Sequence, residues 1–394
     1  MFGEKLYTPR IVDAKPSFVR EILKAAVDKE MISFAGGLPN PISFPRKEMI
    51  EAAGRVFNES ASFQYGQTEG YAPLRQFIVD RYQKRFGMER KIEDVLITTG
   101  SQQALDLLGK VLLEKGSKII IEKPGYLGAI QAFSMFEPEY LPVEMDEEGM
   151  IPEQLEKALQ SGDVKLIYTV PNFQNPSGNT YSRNRRKEIR AILDRYQVFM
   201  VEDDPYGELR FTGEDLPYIG EGYEGSILLG SFSKTLSPGM RVGYICTENK
   251  ELMRYLVVAK QGADLHTSTV NQRLISDYLE HNDYDAHITK IKGLYEKQSE
   301  AMYQTAKKYF PEKVTITHPE GGMFMWADMA AYQITAQSII EKAIEEKVLF
   351  VPGDSFYTEE CAPTTMRLNY TNTEPEAIEQ GMKRLATIMK EAIK

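Results

Sequence analysis

Cysteine is scarce: the 394 residues include two, Cys246 and Cys361. Their separation suits neither a disulfide framework nor the close spacing of metal ligands, which excludes a stapled secreted scaffold and a zinc module. A reducing cytoplasm is the expected location. Long apolar runs are missing too. No stretch approaches the roughly 18 residues of a membrane span, and Met1 to Arg20 lacks the apolar core of a secretion signal. No membrane partner is expected. Basic residues are in deficit, 47 Lys and Arg against 57 Asp and Glu, and the formal charge of -10 opposes attraction to phosphate backbones. Nucleic acid is therefore not an expected partner. Internal repeats and low-complexity tracts are absent, and so is the P-loop string G-x-x-x-x-G-K-[ST], the usual cradle of a nucleoside triphosphate.

What is present is a globular composition, 42% hydrophobic and 26% charged, in a chain long enough for two or three packing units. Short β-rich runs recur at 95–98, 118–122, 166–169, 199–202, 227–231 and 243–246. Most are separated by segments of helical spacing, such as 102–113, 127–136 and 183–196. The runs are apolar throughout, which implies burial on both faces. The expected fold is α/β, a mostly parallel central sheet flanked by helices. After residue 285 the pattern changes to one long helix over 284–309, short strands near Val314 and Met323, and helices over 336–346 and 374–393. We expect an N-terminal segment, 1–32, belonging to a small domain, a large domain over 33–285, and a small α+β domain completed by 286–394.

In open parallel sheets, ligands bind beyond the carboxyl ends of the strands, where loops and helix N-termini converge. At the first such end, Gly100-Ser101-Gln102 opens a helix and offers backbone N–H groups to an anion, with an ordinary helix cap as the alternative. The loop 171–178, Pro-Asn-Phe-Gln-Asn-Pro-Ser-Gly, carries amide side chains. Glu202-Asp203-Asp204 sets carboxylates at a strand end, where magnesium is often held, but without a P-loop a nucleoside-triphosphate site lacks its usual cradle; no metal is expected. The G-x-G-x-x-G string from Gly220 to Gly225 precedes a strand and carries two glutamates, so it reads as a flexible loop and not a pyrophosphate site. Lys234 ends an apolar run, with Ser231 and Ser233 before it and Arg241 after. A lysine is usually a solvated surface charge; in a crevice, partial desolvation would favour the neutral amine that forms a Schiff base. Ser231 to Lys234 also matches the S-x-x-K of penicillin-binding acylases, but their S-D-N and K-T-G strings do not occur.

Seven strings in order, SFAGGLPNPISFP (33–45), QYGQTEGYAPLRQ (64–76), TTGSQQALDL (98–107), PNFQNPSG (171–178), EDDPY (202–206), GSFSKTLSPGMR (230–241) and MRLNY (366–370), span most of the chain. Together they resemble the fold-type I pyridoxal-phosphate aminotransferases of class I/II, and within them the 2-aminoadipate and kynurenine aminotransferase subgroup. The resemblance implies pyridoxal 5'-phosphate as cofactor and Lys234 as the catalytic residue, holding it covalently and shuttling a proton at the substrate α-carbon. Asp203 would pair with the pyridine nitrogen, leaving Asp204 a structural carboxylate. Asn175 and Tyr206 would hydrogen-bond the phenolic oxygen, and Tyr126 would lie against the ring. The phosphate would be held by Ser101, Gln102, Ser231, Ser233 and Arg241, with Tyr65 reaching it from the other subunit of a homodimer.

For the substrate, the resemblance assigns the α-carboxylate to Arg367, counts Asn175 among the substrate-binding residues as well, and gives a close backbone approach to Gly37. Arg20 would meet the distal carboxylate of 2-aminoadipate, a helix-surface arginine paired with glutamate being the alternative. The implied activity is a ping-pong transamination between an α-amino acid (2-aminoadipate, aromatic or bulky aliphatic) and a 2-oxo acid, with glutamate and 2-oxoglutarate as the common pair. Two rivals differ in kind. One is a C–S lyase on the same scaffold. The other is a non-catalytic cofactor-sensing domain of a regulator, against which stand the acidic balance and the few residues before the first motif.

Overall fold

A computed structural model of the chain describes residues 6–12 and 30–393. Arg20 and most of the segment 1–32 lie outside the described residues. Strand β1 spans Ile32–Ser33. The central sheet is built from β2 (Val95–Thr98), β3 (Lys118–Lys123), β4 (Glu139–Asp146), β5 (Gly149–Met150), β6 (Val164–Thr169), β7 (Phe199–Asp203), β8 (Ser226–Ser231) and β9 (Gly243–Cys246). Their order is β2-β9-β8-β7-β6-β3-β4-β5. From β8 through β7, β6 and β3 to β4 all neighbours are parallel, as expected. The reason is visible in burial: Ile119 to Ile121, Leu166 to Tyr168, Met200, Val201 and Ile227 to Leu229 are all inaccessible to solvent, so both faces must be covered.

Strand β9 runs antiparallel to both β8 and β2. Residues 232–242, which join β8 to β9, hold a single 3-10 turn, Pro238–Met240, and are too short for a helical crossover. Helix Ser101–Leu112 lays Ala104, Leu105, Leu107 and Leu108 on the sheet at helical spacing. The 220–225 string is not the flexible loop its glycines suggest. Tyr223 N–H closes a turn on Gly220 O at 3.0 Å, and Glu202 accepts the N–H groups of Ile219 and Gly220 at 2.9 and 2.8 Å.

Helix Tyr284–Tyr309 has the expected bounds, with Asp283 accepting the Ala286 N–H at 2.9 Å as its N-cap. Beyond it lie β10 (Thr315–Ile316), β11 (Phe324–Asp328), β12 (Val348–Leu349), β13 (Val351–Pro352) and β14 (Thr365–Asn369). A four-stranded antiparallel sheet runs β10-β11-β14-β13, and β1 pairs in parallel with β12. The helix expected over 336–346 divides into a 3-10 turn, Ala336–Ile339, and helix Ile340–Glu345. Among the described residues no helix is long and apolar enough to cross a membrane.

Candidate functional site

The loops leaving the carboxyl ends of β2, β3, β6, β7 and β8 converge on a pocket of about 270 Å³, closed on the far side by Phe324 and Arg367 from β11 and β14. Lys234 follows β8 by three residues and is half-buried on the pocket wall. Its Nζ donates to the Gly37 carbonyl at 2.7 Å. Burial, reinforced by the cations Arg367 and Arg241, pushes this ammonium down to about 8.

Behind the lysine stand three consecutive carboxylates with three different environments. Strand alternation turns Asp203 away from Glu202. Glu202 is spent on the 219–220 backbone, and burial raises its pKa to about 7. Asp204 is saturated, its Oδ1 accepting from Asn172 Nδ2 (3.0 Å) and Gly207 N–H (2.8 Å) and its Oδ2 from Tyr218 Oη (2.7 Å). Asp203 accepts from Tyr168 Oη at 2.7 Å through Oδ2, while its buried Oδ1 has no hydrogen-bond partner among the described residues. Burial raises Asp203 to about 7, opposed by the Tyr168 hydrogen bond and assisted by Asp204 and Glu122.

One end of the pocket is arranged for an anion. Gly100 caps helix Ser101–Leu112 at φ 75 with no side-chain cap, and Ser101 Oγ is buried without a partner among the described residues. The φ of Gly100 favours glycine, and a Cβ there would meet Arg241 Nη2 at 2.5 Å and displace the guanidinium. Ser231 Oγ accepts the Ser233 N–H at 3.1 Å, and both serines line the pocket. Gln102 contributes backbone here, because its Nε2 is committed to Gly128 O at 3.0 Å.

The opposite wall holds a second fixed cation. Arg367 donates through Nη1 to Asn175 Oδ1 (2.8 Å) and through Nη2 to Ala35 O (2.7 Å), while its buried Nε has no partner among the described residues. Its guanidinium carbon lies 4.4 Å from the Phe324 ring centre and 5.1 Å from that of Phe356. Burial lowers its pKa to about 10. Asn175 Nδ2 in turn donates to Tyr206 Oη at 3.3 Å. The loop bearing Asn175 is anchored from beneath by Glu122, which accepts from Gln174 Nε2 and Val170 N–H, each at 2.9 Å. Tyr126, at the start of helix Leu127–Ser134, lines the pocket with its hydroxyl pushed up to about 12 by burial.

The pocket thus unites Gly37, Ser101, Gln102, Tyr126, Asn175, Asp203, Tyr206, Ser231, Ser233, Lys234, Arg241 and Arg367. Tyr65 is not part of it: its ring is 80% exposed and packs edge-on to His266 at 5.8 Å. Arg20 falls outside the described residues. Sequence reading missed Phe324, because a lone aromatic on a strand carries no local signal of what it faces. It also missed Tyr168, whose partner is a residue of another strand. Chemically, the pocket offers an amine with a lowered pKa, a carboxylate with one free oxygen, an anion cradle and a buried guanidinium.

Comparison with known proteins agrees over nearly the whole chain. A family model described as "Aminotransferase class I and II" matches residues 36–385. Aromatic-amino-acid aminotransferase 1 of Thermococcus litoralis is 40% identical over 99% of this chain and 95% of its own. The 2-aminoadipate transaminase of Thermus thermophilus is 41% identical over 95% of this chain and 94% of its own. The crystal structure of Pyrococcus horikoshii kynurenine aminotransferase, in complex with PMP, KYN and KYA, aligns with a TM-score of 0.94 at 38% identity, covering 99% of this chain and 98% of that one.

Proposed function

The chain belongs to the class I and II aminotransferases and is a pyridoxal-phosphate-dependent transaminase, and from that premise we propose that it exchanges the amino group of 2-aminoadipate, or of an aromatic or bulky aliphatic amino acid, with a 2-oxo acid in a ping-pong cycle. Glutamate and 2-oxoglutarate form the common pair. The observation that carries this reading is the meeting, in one pocket, of Lys234, Asp203 and a buried guanidinium, Arg367.

The residues fit the cofactor. Two buried oxygens of the pocket lack partners among the described residues: Asp203 Oδ1 suits a pyridinium N–H, and Ser101 Oγ, at an uncapped helix N-terminus, suits phosphate. When bound, pyridoxal phosphate supplies an aldehyde and an electron-accepting ring. Asp203 keeps a proton on the ring nitrogen. Lys234 would hold the aldehyde carbon, and its free amine would take and return the proton of the substrate α-carbon; its lowered pKa makes that amine available near neutrality. Ser101, Gln102, Ser231, Ser233 and Arg241 bind the phosphate, Asn175 and Tyr206 the phenolic oxygen, and Tyr126 the ring face. Arg367, oriented by Asn175 and Ala35, binds the substrate α-carboxylate.

Gly37 lets the substrate approach the backbone, and Arg20 answers a distal carboxylate. The exposed ring of Tyr65 supports its role in completing the phosphate site of a second subunit in a homodimer. In the proposed division, residues 33–285 carry the cofactor cradle and 286–394 carry Arg367, with 1–32 joined to the latter. Two free cysteines support a cytoplasmic setting. A panel of amino donors assayed against 2-oxoglutarate tests the proposal: 2-aminoadipate or aromatic donors should yield stoichiometric glutamate. Pyruvate and ammonia released from a β-substituted amino acid without a 2-oxo acid would instead establish a lyase.

A further inference from the structure

Asp203 receives one hydrogen bond from a side chain, and the donor lies behind the pocket. Tyr168 sits on β6, beside β7, in register with Val201, and is inaccessible to solvent. Its hydroxyl donates to Asp203 Oδ2 at 2.7 Å, and its ring packs edge-on against Phe133 at 5.8 Å. We propose that Tyr168 is a positioning residue for the cofactor site: its hydroxyl favours the ionised form of Asp203 and leaves Oδ1 to face the ring nitrogen. The proposal rests on the role of Asp203 given above.

The electrostatics around Asp203 require such a donor. Burial opposes its charge, and so do the neighbouring carboxylates Asp204, just beyond β7, and Glu122 on β3. Tyr126 and Tyr206, also close to Asp203, add no positive charge, and Lys234, Arg241 and Arg367 are the cations that line the same pocket. The Tyr168 hydrogen bond is the direct side-chain contact that favours the ionised form of Asp203. Burial and Asp203 itself hold the Tyr168 hydroxyl well above its ordinary range, so it remains a donor throughout the working pH range.

Tyr168→Phe keeps the ring against Phe133 and removes the hydroxyl alone. The holoenzyme is reconstituted with pyridoxal phosphate labelled with ¹⁵N in the ring, and the nitrogen shift is followed with pH for wild type, Tyr168→Phe, Tyr168→His and Asp203→Asn. Cofactor affinity and thermal stability are measured on the same samples. In Tyr168→Phe the neutral-pH shift should move toward the unprotonated position, in the direction of Asp203→Asn, with cofactor binding weakened roughly tenfold and a melting temperature close to wild type. Tyr168→His, which retains a ring donor, should lie nearer wild type. A wild-type nitrogen shift and affinity in Tyr168→Phe would overturn the proposal, as would Tyr168→His departing further than Tyr168→Phe. If Asp203→Asn itself leaves the shift unchanged, the assignment of Asp203 fails instead.

Discussion

At the amino ends of β6, β7 and β8 lies a groove of about 840 Å³, bordered by Val164, Lys165, Tyr196, Phe199, Tyr223 and Asn249; at the carboxyl ends of the same strands lies the candidate site, of about 270 Å³. The groove's charged residues, Asp163, Lys165, Asp194 and Glu224, are exposed, and Tyr223 Oη is used on the carbonyls of Tyr196 and Val198. In the smaller pocket Asn175, Asp203, Tyr206 and Arg367 are buried, and Asp203 Oδ1 and Arg367 Nε are left unpaired. Charges act strongly on a ligand only where water is excluded. Volume therefore misleads here. The asymmetry comes from the parallel topology, which brings helix N-termini to one rim of the sheet.

The sharpest test of this contrast is Lys234→Ala, which should lower turnover by at least about four powers of ten and abolish the visible absorbance of the bound cofactor; turnover at the wild-type rate would refute the assignment. Next, Arg367→Ala should reduce kcat/KM by roughly 10²–10³-fold for every amino donor alike, because the α-carboxylate is common to all of them. Steady-state kinetics with leucine and glutamate as donors would reveal any unequal loss.

Asp203 also makes a stability prediction. Its folded-state pKa, about 7, lies above the ordinary carboxylate value, so folding favours the protonated acid. Its contribution is fully present below pH ~4 and is lost as pH rises through 7. Asp203→Asn should remove that slope and make the cofactor-free protein more stable at pH 8 by about 2–4 kcal/mol relative to wild type, with little difference at pH 4. Urea unfolding at the two pH values measures it. Glu202, raised likewise, should keep its own share of the slope in both proteins.

Smaller still is the effect of Arg20→Ala, a loss of roughly 10- to 100-fold in kcat/KM confined to acidic donors. Equal losses for leucine and 2-aminoadipate would remove Arg20 from substrate selection. At the bottom of the scale, Lys165→Ala with Asp194→Ala in the large groove should leave kcat/KM within about twofold, as surface changes away from a site generally do. A larger drop would break the comparison, since the groove would then contribute to catalysis.

The fully buried strands could be read from sequence because burial on both faces leaves an uninterrupted apolar run, as in β3 and β6. Strand β4 could not: its side chains are only partly buried, and Pro142 interrupts the pattern. The reversed direction of β9 was hidden too, since an apolar run carries no mark of orientation. For the site, Lys234, Asn175, Arg241 and Arg367 were legible through their motifs. The supports beneath them, Tyr168, Glu122 and Phe324, were not, because each acts on a residue that is distant in the chain.

Glu202, Asp203 and Asp204 mark the boundary between the two kinds of information. Local order alone determined that three acids stand at the end of a strand and that alternation turns the middle one away from the first. Which of them retains an unpaired oxygen was decided only when the 219–220 turn, Asn172 and Tyr218 arrived from elsewhere and satisfied the outer two. Hydrogen-bond saturation depends on neighbours in space, and those neighbours exist only once the chain has folded.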